Sequence, residues 1–581
     1  MRKEFAWRSL SLASIFAMIG ILIIVQMVRI QVSPEAAEFR EETNRYKGWI
    51  ENVYPARGEI YDRDGKLLAG NQSVYEIGVT LKYVKNPELI AQTLDSVVGL
   101  DYMEVLSAIN NAPDAQIYLS LADYVPAKSV EELKKIQAAA QANGATENLA
   151  GLNFRKHLAR SYPEETIAAN VIGFVNRSGR GYFGVEEKYN DLLAGTPVQV
   201  WVPADPNRVE EIPQVPDGTT LILTLDRELQ AATEEILDDS IAKYGAESGT
   251  IIVMDPRNGE ILAMASSPRL NLENYGMYSQ VFDNASEYNR AISNPYEPGS
   301  VMKILTMAAA LDTGTVTPET TYTDTGIFSV GGAVIRNWNQ EAWGEQDMTG
   351  CLQHSLNVCM AWVATEMGTE NFYAYMSDFG MGHPTGVDLS GEAAGRLKIP
   401  GDADWYPVDL ATNSFGQGIT ATPIQMMMAA SAITNEGNMV TPHILYGMVR
   451  DGKQYDFPPQ YAGKPISKET AQTLNEMLAN SITGEDYLAL LAGYRLAGKT
   501  GTAQIPTEYG WYSDEETNTS FIGWGPVDDP QFMVYVWLEK PGVSIWASET
   551  AAPVFAEVAK ESVRILNIPP DTVRLQYAAE K

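Results

Sequence analysis

Cysteine is nearly missing from this chain: there are two, Cys351 and Cys359, eight residues apart in a stretch that reads as one helix. Eight helical residues rise roughly 12 Å, beyond the ~7 Å over which two Cα atoms can be bridged. The pair is therefore expected to be unpaired core thiols. Cys351, His354 and Cys359 can be written as a metal cluster, but no fourth ligand is convincingly placed, and neither a metal nor a cofactor is expected. Histidine is almost as scarce. None of His157, His354, His383 and His443 stands near a G-x-S-x-G elbow, so nothing signals a Ser-His-Asp triad. Basic residues are outnumbered, 42 Lys and Arg against 74 Asp and Glu, for a net charge of −32. A surface of that sign repels phosphate backbones and excludes nucleic acid as the natural partner. No repeat of 20–50 residues is visible, which excludes solenoids and propellers.

What is present begins with one long apolar run. Ser9 to Val28 is twenty positions without a charge, about 30 Å of helix and so the thickness of a hydrocarbon core. A cleaved signal would have a shorter apolar core and a small-residue cleavage site. This run instead continues into Arg29-Ile30-Gln31, and reads as an uncleaved anchor. Arg2, Lys3 and Arg8 precede it against a single Glu4, which puts residues 1–8 in the cytoplasm and the bulk of the chain outside. A single-pass plasma-membrane protein is expected, its chemistry in a compartment without ATP.

At 581 residues the chain is too long for one core, and two to four domains are expected. Residues 32–215 mix short strands with helices, among them Glu88–Ile109 and Ser129–Ala142 by apolar spacing. Pro203-Ala-Asp-Pro206 through Pro216-Asp217-Gly218 reads as a boundary. Beyond it come a strand at 219–225, an amphipathic helix at 228–244 and a hairpin at 249–265. A long helical region follows from 300 to about 480. Strands return at 494–504, 519–524 and 531–538, with a closing helix near 549–566. Strands at both ends with helices between predict an α+β domain around one sheet assembled from distant segments.

The chemistry concentrates in three segments. In Tyr296-Glu-Pro-Gly-Ser300-Val-Met-Lys303, Pro298 and Gly299 break the chain before an apolar run, so Ser300 begins a helix. Residues three apart share a helix face, which sets the Lys303 amine beside the Ser300 hydroxyl. A lysine serves as base when burial or a nearby cation loosens its proton. A helix N-terminus adds N–H groups for a developing oxyanion. A second S-x-x-K, Ser240-Ile-Ala-Lys243, ends an amphipathic helix, where the dipole has the wrong sign; Ser240 is read as a surface position. Ser355-Leu356-Asn357 offers a hydroxyl and an amide inside an apolar helical stretch, and alone it reads equally as a satisfied buried pair. In Lys499-Thr500-Gly501-Thr502, strand alternation puts Lys499 and Gly501 on one face and Thr500 and Thr502 on the other. Gly501 leaves room for a substrate backbone, and a cation with two hydroxyls suits a terminal carboxylate. Alone, this segment also reads as an ordinary strand ending in a turn.

Together, in this order, the three segments resemble the motif set of penicillin-binding proteins and class A β-lactamases. Arg57-Gly-Glu-Ile-Tyr-Asp-Arg-Asp-Gly65, Arg160-Ser-Tyr-Pro163 with Ala169-Asn-Val-Ile-Gly173, and Gly181-Tyr-Phe-Gly-Val-Glu186 resemble the pedestal motifs of class B penicillin-binding proteins, which β-lactamases lack. The resemblance covers most of the chain after the anchor. It implies a transpeptidase domain at 216–568, an antiparallel sheet flanked by helices, on an elongated dimerisation-type pedestal at 32–215, with a short tail at 569–581. It implies a D,D-transpeptidase: Ser300 attacks the penultimate D-Ala carbonyl of a stem peptide, D-Ala leaves, and a neighbouring amine takes the acyl group. β-Lactams would acylate the same serine. By the same resemblance Lys303 is the base, Ser355 relays the proton, and Asn357 orients Lys303 and the substrate amide. Lys499, Thr500 and Thr502 hold the terminal carboxylate, and the Ser300 and Thr502 N–H groups form the oxyanion hole. Asn413-Ser-Phe-Gly-Gln-Gly418 with Thr422-Pro423 resembles the division and sporulation branch, which implies a septal role and a membrane polymerase of the SEDS family as partner. The alternatives are a β-lactam sensor or hydrolase, disfavoured by the pedestal, and a non-catalytic division scaffold, which would need none of these side chains.

Overall fold

A computed structural model of the chain describes residues 2–33, 48–113, 115–145, 147–203, 215–282, 288–484, 486–506 and 512–579. It divides into two compact units, residues 1–56 with 195–217, and residues 57–194 with 218–581. The first unit holds a helix, Arg2–Val32, and an antiparallel ribbon of Gly48–Val53 with Val198–Pro203. Ile19, Leu22 and Ile23 on that helix are exposed. Among the described residues no helix is long and apolar enough to cross a membrane; the apolar run includes Ser9, Leu10 and Leu12, whose side chains lie outside them.

In the second unit, Leu67–Thr80 forms the middle of a pedestal sheet, with Tyr118–Pro126 and Leu152–Ser161 antiparallel on either side. Three helices, Pro87–Val98, Tyr102–Asn110 and Ala127–Ala142, bury their apolar stripes against it through Ile90, Leu94, Val105, Val130 and Leu133. The single helix expected over 88–109 is thus two. Gly99 turns left-handed at φ 78°, and the Asp101 carboxylate caps a new helix at Glu104 N. That is a helix stop and start two residues apart. The sheet does not end with the pedestal. Ile60–Tyr61 pairs with Leu67–Ala69 on one side and, in parallel, with Thr220–Leu223 on the other, which in turn pairs with Leu445–Arg450. The pedestal motifs meet beside it. The fully buried Glu186 takes the Arg57 Nε at 2.7 Å and the Arg160 Nε at 2.6 Å, and Arg160 also donates to Gly58 O.

The second sheet has five antiparallel strands, β1 (Ser248–Met254), β2 (Ile261–Ser267), β3 (Ala497–Pro506), β4 (Tyr512–Gly525) and β5 (Phe532–Glu539), in the order β2-β1-β5-β4-β3. It is the sheet of distant segments that the strand pattern predicts, save that the strand expected at 219–225 pairs in the other sheet as Thr220–Leu223. One face packs on α1 (Arg227–Tyr244) and the closing helix Ala551–Ile565 through Leu229, Leu237, Val534, Phe555 and Val558. The other face carries α2 (Lys303–Asp312), α3 (Met348–Gln353), α4 (Asn357–Met367) and α5 (Pro423–Thr434), whose buried residues form one large core with that face. Two expectations are corrected here. The stretch 321–347 is two small ribbons, not helix, Thr321–Asp324 with Gly344–Asp347 and Ile327–Val330 with Ala333–Arg336, the latter turning at the left-handed Gly331 and Gly332. Ser240 is buried at 3 % exposure, inside α1's packed face. The tail forms a helix, Asp571–Ala579, pinned where Arg574 reaches Asp528 and Asp571.

Candidate active site

Ser300 stands in a 3₁₀ turn, Gly299–Met302, that runs directly into α2. In a 3₁₀ turn residues three apart eclipse one another, so Ser300 and Lys303 lie on one line along the helix. Gly299 makes that turn possible. Its φ is 59°, and a Cβ there would lie 2.9 Å from Thr502 O of β3. On the other side Gly299 N donates to Gly416 O at 3.1 Å, and a Cβ on Gly416 (φ 84°) would meet Gly299 O at 2.1 Å. The Ser300 turn is thereby held between β3 and the 413–418 loop. Glu297 ties the same loop down, accepting from Gly418 N at 2.9 Å and from the Tyr512 hydroxyl at 3.1 Å; burial pushes its carboxyl up.

Lys303 is fully buried. Its ammonium donates to Ser355 O at 2.6 Å, Ser355 Oγ at 3.1 Å and Asn357 Oδ1 at 2.7 Å. Burial first, and the Lys499 charge second, push its pKa well below the ordinary lysine value, because both raise the energy of the protonated form. Asn357 is fixed from its other end, its Nδ2 donating to Arg336 O.

Ser355 is not inside a helix, as the apolar pattern suggests. It lies at the break between α3 and α4, where it takes a left-handed φ of 50° and Leu356 N returns to Cys351 O at 3.0 Å, and Asn357 opens α4. The break also overturns the reading of the cysteines. With the rise interrupted, the Cys351 and Cys359 Cα atoms are 6.1 Å apart and the sulfurs form a disulfide across the loop that carries Ser355 and Asn357.

On β3, alternation acts as expected: Thr500 and Thr502 line the cleft, while Lys499 is buried, 1 % exposed, and donates to Thr500 Oγ1 at 3.1 Å. The bareness of Gly501 also has a packing reason. A Cβ there would meet Ser520 Oγ at 2.3 Å, Pro298 O at 3.0 Å and Val301 Cγ1 at 3.0 Å, so the glycine lets β3 close on the Ser300 turn. The cleft of about 710 Å³ draws together Ser300, Ser355, Asn357, Thr500 and Thr502. Three further lining residues carry no motif. Trp338 and Trp546 meet edge to face at 5.1 Å, and Asp486 accepts from the Thr500 hydroxyl at 3.1 Å. Trp338 Nε1 donates to His354 O at 3.1 Å, next to Ser355, and Ala547 N donates to Thr502 Oγ1 at 3.2 Å, so the two rings are anchored to opposite walls.

A hydroxyl on a helix-starting turn, a buried amine with a loosened proton and a hydroxyl-lined strand make a site for acyl transfer. Residues 249–560 match the penicillin binding protein transpeptidase domain, and residues 52–214 match the penicillin-binding protein dimerisation domain. The chain belongs to the class B penicillin-binding proteins. Among its relatives, stage V sporulation protein D of Bacillus subtilis (strain 168) is 32 % identical over 90 % of this chain and 80 % of its own length. The peptidoglycan D,D-transpeptidase FtsI of Escherichia coli (strain K12) is 28 % identical over 90 % of this chain and 86 % of its own. The crystal structure of penicillin binding protein 3 from Mycobacterium tuberculosis, complexed with aztreonam, superposes with a TM-score of 0.69 at 25 % identity, covering 90 % of this chain and 98 % of that one. This class B penicillin-binding protein is a serine-type D,D-transpeptidase of peptidoglycan synthesis.

Proposed function

We propose that Ser300 is the nucleophile and that the buried Lys303, held between Ser355 and Asn357, is its base. The observation that carries this reading is the set of three Lys303 hydrogen bonds to the Ser355–Asn357 loop, in surroundings that weaken the ammonium's hold on its proton. Neutral Lys303 takes the Ser300 proton as Oγ bonds to the penultimate D-Ala carbonyl carbon. The N–H groups of Ser300 and Thr502 stabilise the oxyanion. Collapse breaks the C–N bond, and the proton passes through the Ser355 hydroxyl to the departing D-Ala amine. A neighbouring stem's amine then attacks the ester, gives its proton back along the same path and frees Ser300. Asn357 orients Lys303 and the substrate amide, and Thr500 and Thr502 take the terminal carboxylate. Lys499, buried and bonded to the Thr500 hydroxyl, supplies positive charge to both, and Gly501 lets the strand close on Ser300.

The pedestal of this reading is residues 32–215 and the catalytic domain 216–568. Residues 9–28 anchor the protein as a single-pass membrane protein with residues 1–8 in the cytoplasm and the cleft outside, working at the septum beside a SEDS-family polymerase. The charge-free run and the three basic residues before it support that placement.

The test is a fluorescent penicillin incubated with the full-length protein and with Ser300→Ala, the adduct being read on a denaturing gel. A lasting adduct in the wild type alone is expected. An adduct that clears within seconds would favour a hydrolase, and none on folded wild type would favour a scaffold.

A further inference from the structure

Among the described residues, two carboxylates line the cleft, Asp486 and Glu549. Glu549 lies exposed on the rim, accepting from the Ser544 hydroxyl. Asp486 is different. It is 6 % exposed, it follows the helix Lys468–Ser481, and its Oδ2 accepts the Thr500 hydroxyl at 3.1 Å. The same Thr500 oxygen accepts from Lys499 Nζ at 3.1 Å. An ammonium and a hydroxyl of β3, the strand that packs on the Ser300 turn, and the Asp486 carboxylate beside it are therefore joined by consecutive hydrogen bonds.

A hydroxyl has one proton to give. In this arrangement Thr500 gives it to Asp486, so none is left for an incoming anion. We infer that Asp486 is an internal stand-in for the carboxylate terminus of the acyl donor. In the resting cleft it holds the Thr500 hydroxyl, and the donor binds by taking that proton over. This rests on the reading of Thr500 and Thr502 as the carboxylate holders.

The exchange has a chemical consequence. An arriving carboxylate must settle beside a buried charge of its own sign, which disfavours any anion without further contacts along the cleft. A donor that also fills the rest of the cleft overcomes that repulsion, and a free amino acid or small carboxylate does not. Asp486 is thus a positioning residue that acts through Thr500 and sets the threshold for binding.

The experiment uses the full-length protein with a fluorescent penicillin and with its methyl ester, in which the carboxylate is masked. Acylation is separated into the dissociation constant of the first complex and the rate of the covalent step. Asp486→Asn keeps the shape and an acceptor oxygen but removes the charge. It is expected to tighten the first complex of the free acid about tenfold, the lower part of the range between solvent-like and protein-like screening at such separations. The covalent step and the ester's rate stay unchanged. Unchanged or weaker binding of the free acid, or an equal gain for the ester, overturns the inference. If melting shows Asp486→Asn poorly folded, Asp486→Ser is judged by the same readings. No adduct on the wild type, or an adduct on Ser300→Ala, overturns the parent reading as well, whereas a normal adduct with an indifferent Asp486→Asn overturns only the exchange.

Discussion

At the scale of single residues, the chemistry turns on where one proton sits. Lys303 has its pKa pushed well below the ordinary lysine value by burial and by the Lys499 charge, and in the proposed mechanism only its neutral form accepts the Ser300 proton. Acylation should therefore rise with pH through that depressed value and level off above it. Lys499→Gln removes one of the two causes, so the Lys303 pKa should climb and the rising limb should move to higher pH; a pH series of penicillin acylation rates reads this directly, and an unmoved limb would remove Lys499 from that role. Lys303→Ala should leave a folded protein whose acylation is slower by about 10²–10⁴, the usual weight of a positioned proton acceptor. Ser300 and Lys303 were legible in the sequence because helix spacing alone sets residues three apart on one face. Asp486 and the two tryptophans were not, since each reaches the cleft by tertiary folding and no local pattern marks it.

At the scale of elements, the Ser355–Asn357 loop shows where periodicity misleads. Apolar residues at 351, 352, 356, 358 and 359 continue a helical pattern through the loop, yet the backbone breaks at Ser355. The pattern records burial on both sides of the break and carries no information about the break itself. The cysteine expectation failed for the same reason, since a rise per residue was applied across a helix end. A cross-link over so short a loop contributes about 2–3 kcal/mol by restricting the unfolded chain, so replacing both cysteines by alanine should lower the melting temperature measurably by calorimetry. Gly416 gives a second element-scale prediction. A methyl group there would meet Gly299 O at 2.1 Å on a left-handed backbone. Gly416→Ala should cost more than about 1 kcal/mol and also slow acylation, because the atoms that must yield belong to the nucleophile turn. A variant that acylates normally would show that the turn does not depend on this contact.

At the scale of the whole molecule, the two sheets were unequally visible. The five-stranded one was predicted because its strands are long and apolar, β5 being buried along nearly its whole length. The other hides its continuity: Ile60–Tyr61 and Thr220–Leu223 are too short to announce a parallel pairing across 160 residues of chain. Glu186 is the natural probe of the pedestal side. It is the shared counter-charge of Arg57 and Arg160, whose side chains are 9 % and 3 % exposed. Breaking a buried ion pair from one side typically costs 3–5 kcal/mol, so Glu186→Gln should lower the melting temperature by several degrees, and an unshifted melt would contradict the assigned network.

The shared sheet also bears on how such a protein can be taken apart or recombined. Thr220–Leu223 lies between Ile60–Tyr61 on one side and Leu445–Arg450 on the other. A truncation that starts at 216 would strip one neighbour away and bare a strand edge, which invites pairing with other chains. Pedestal and catalytic region are therefore not interchangeable cassettes. A chimera joined at the boundary that the proline-rich stretch advertises would have to match strand register across the seam, so the two halves are expected to change together and to be exchanged, if at all, as a single piece.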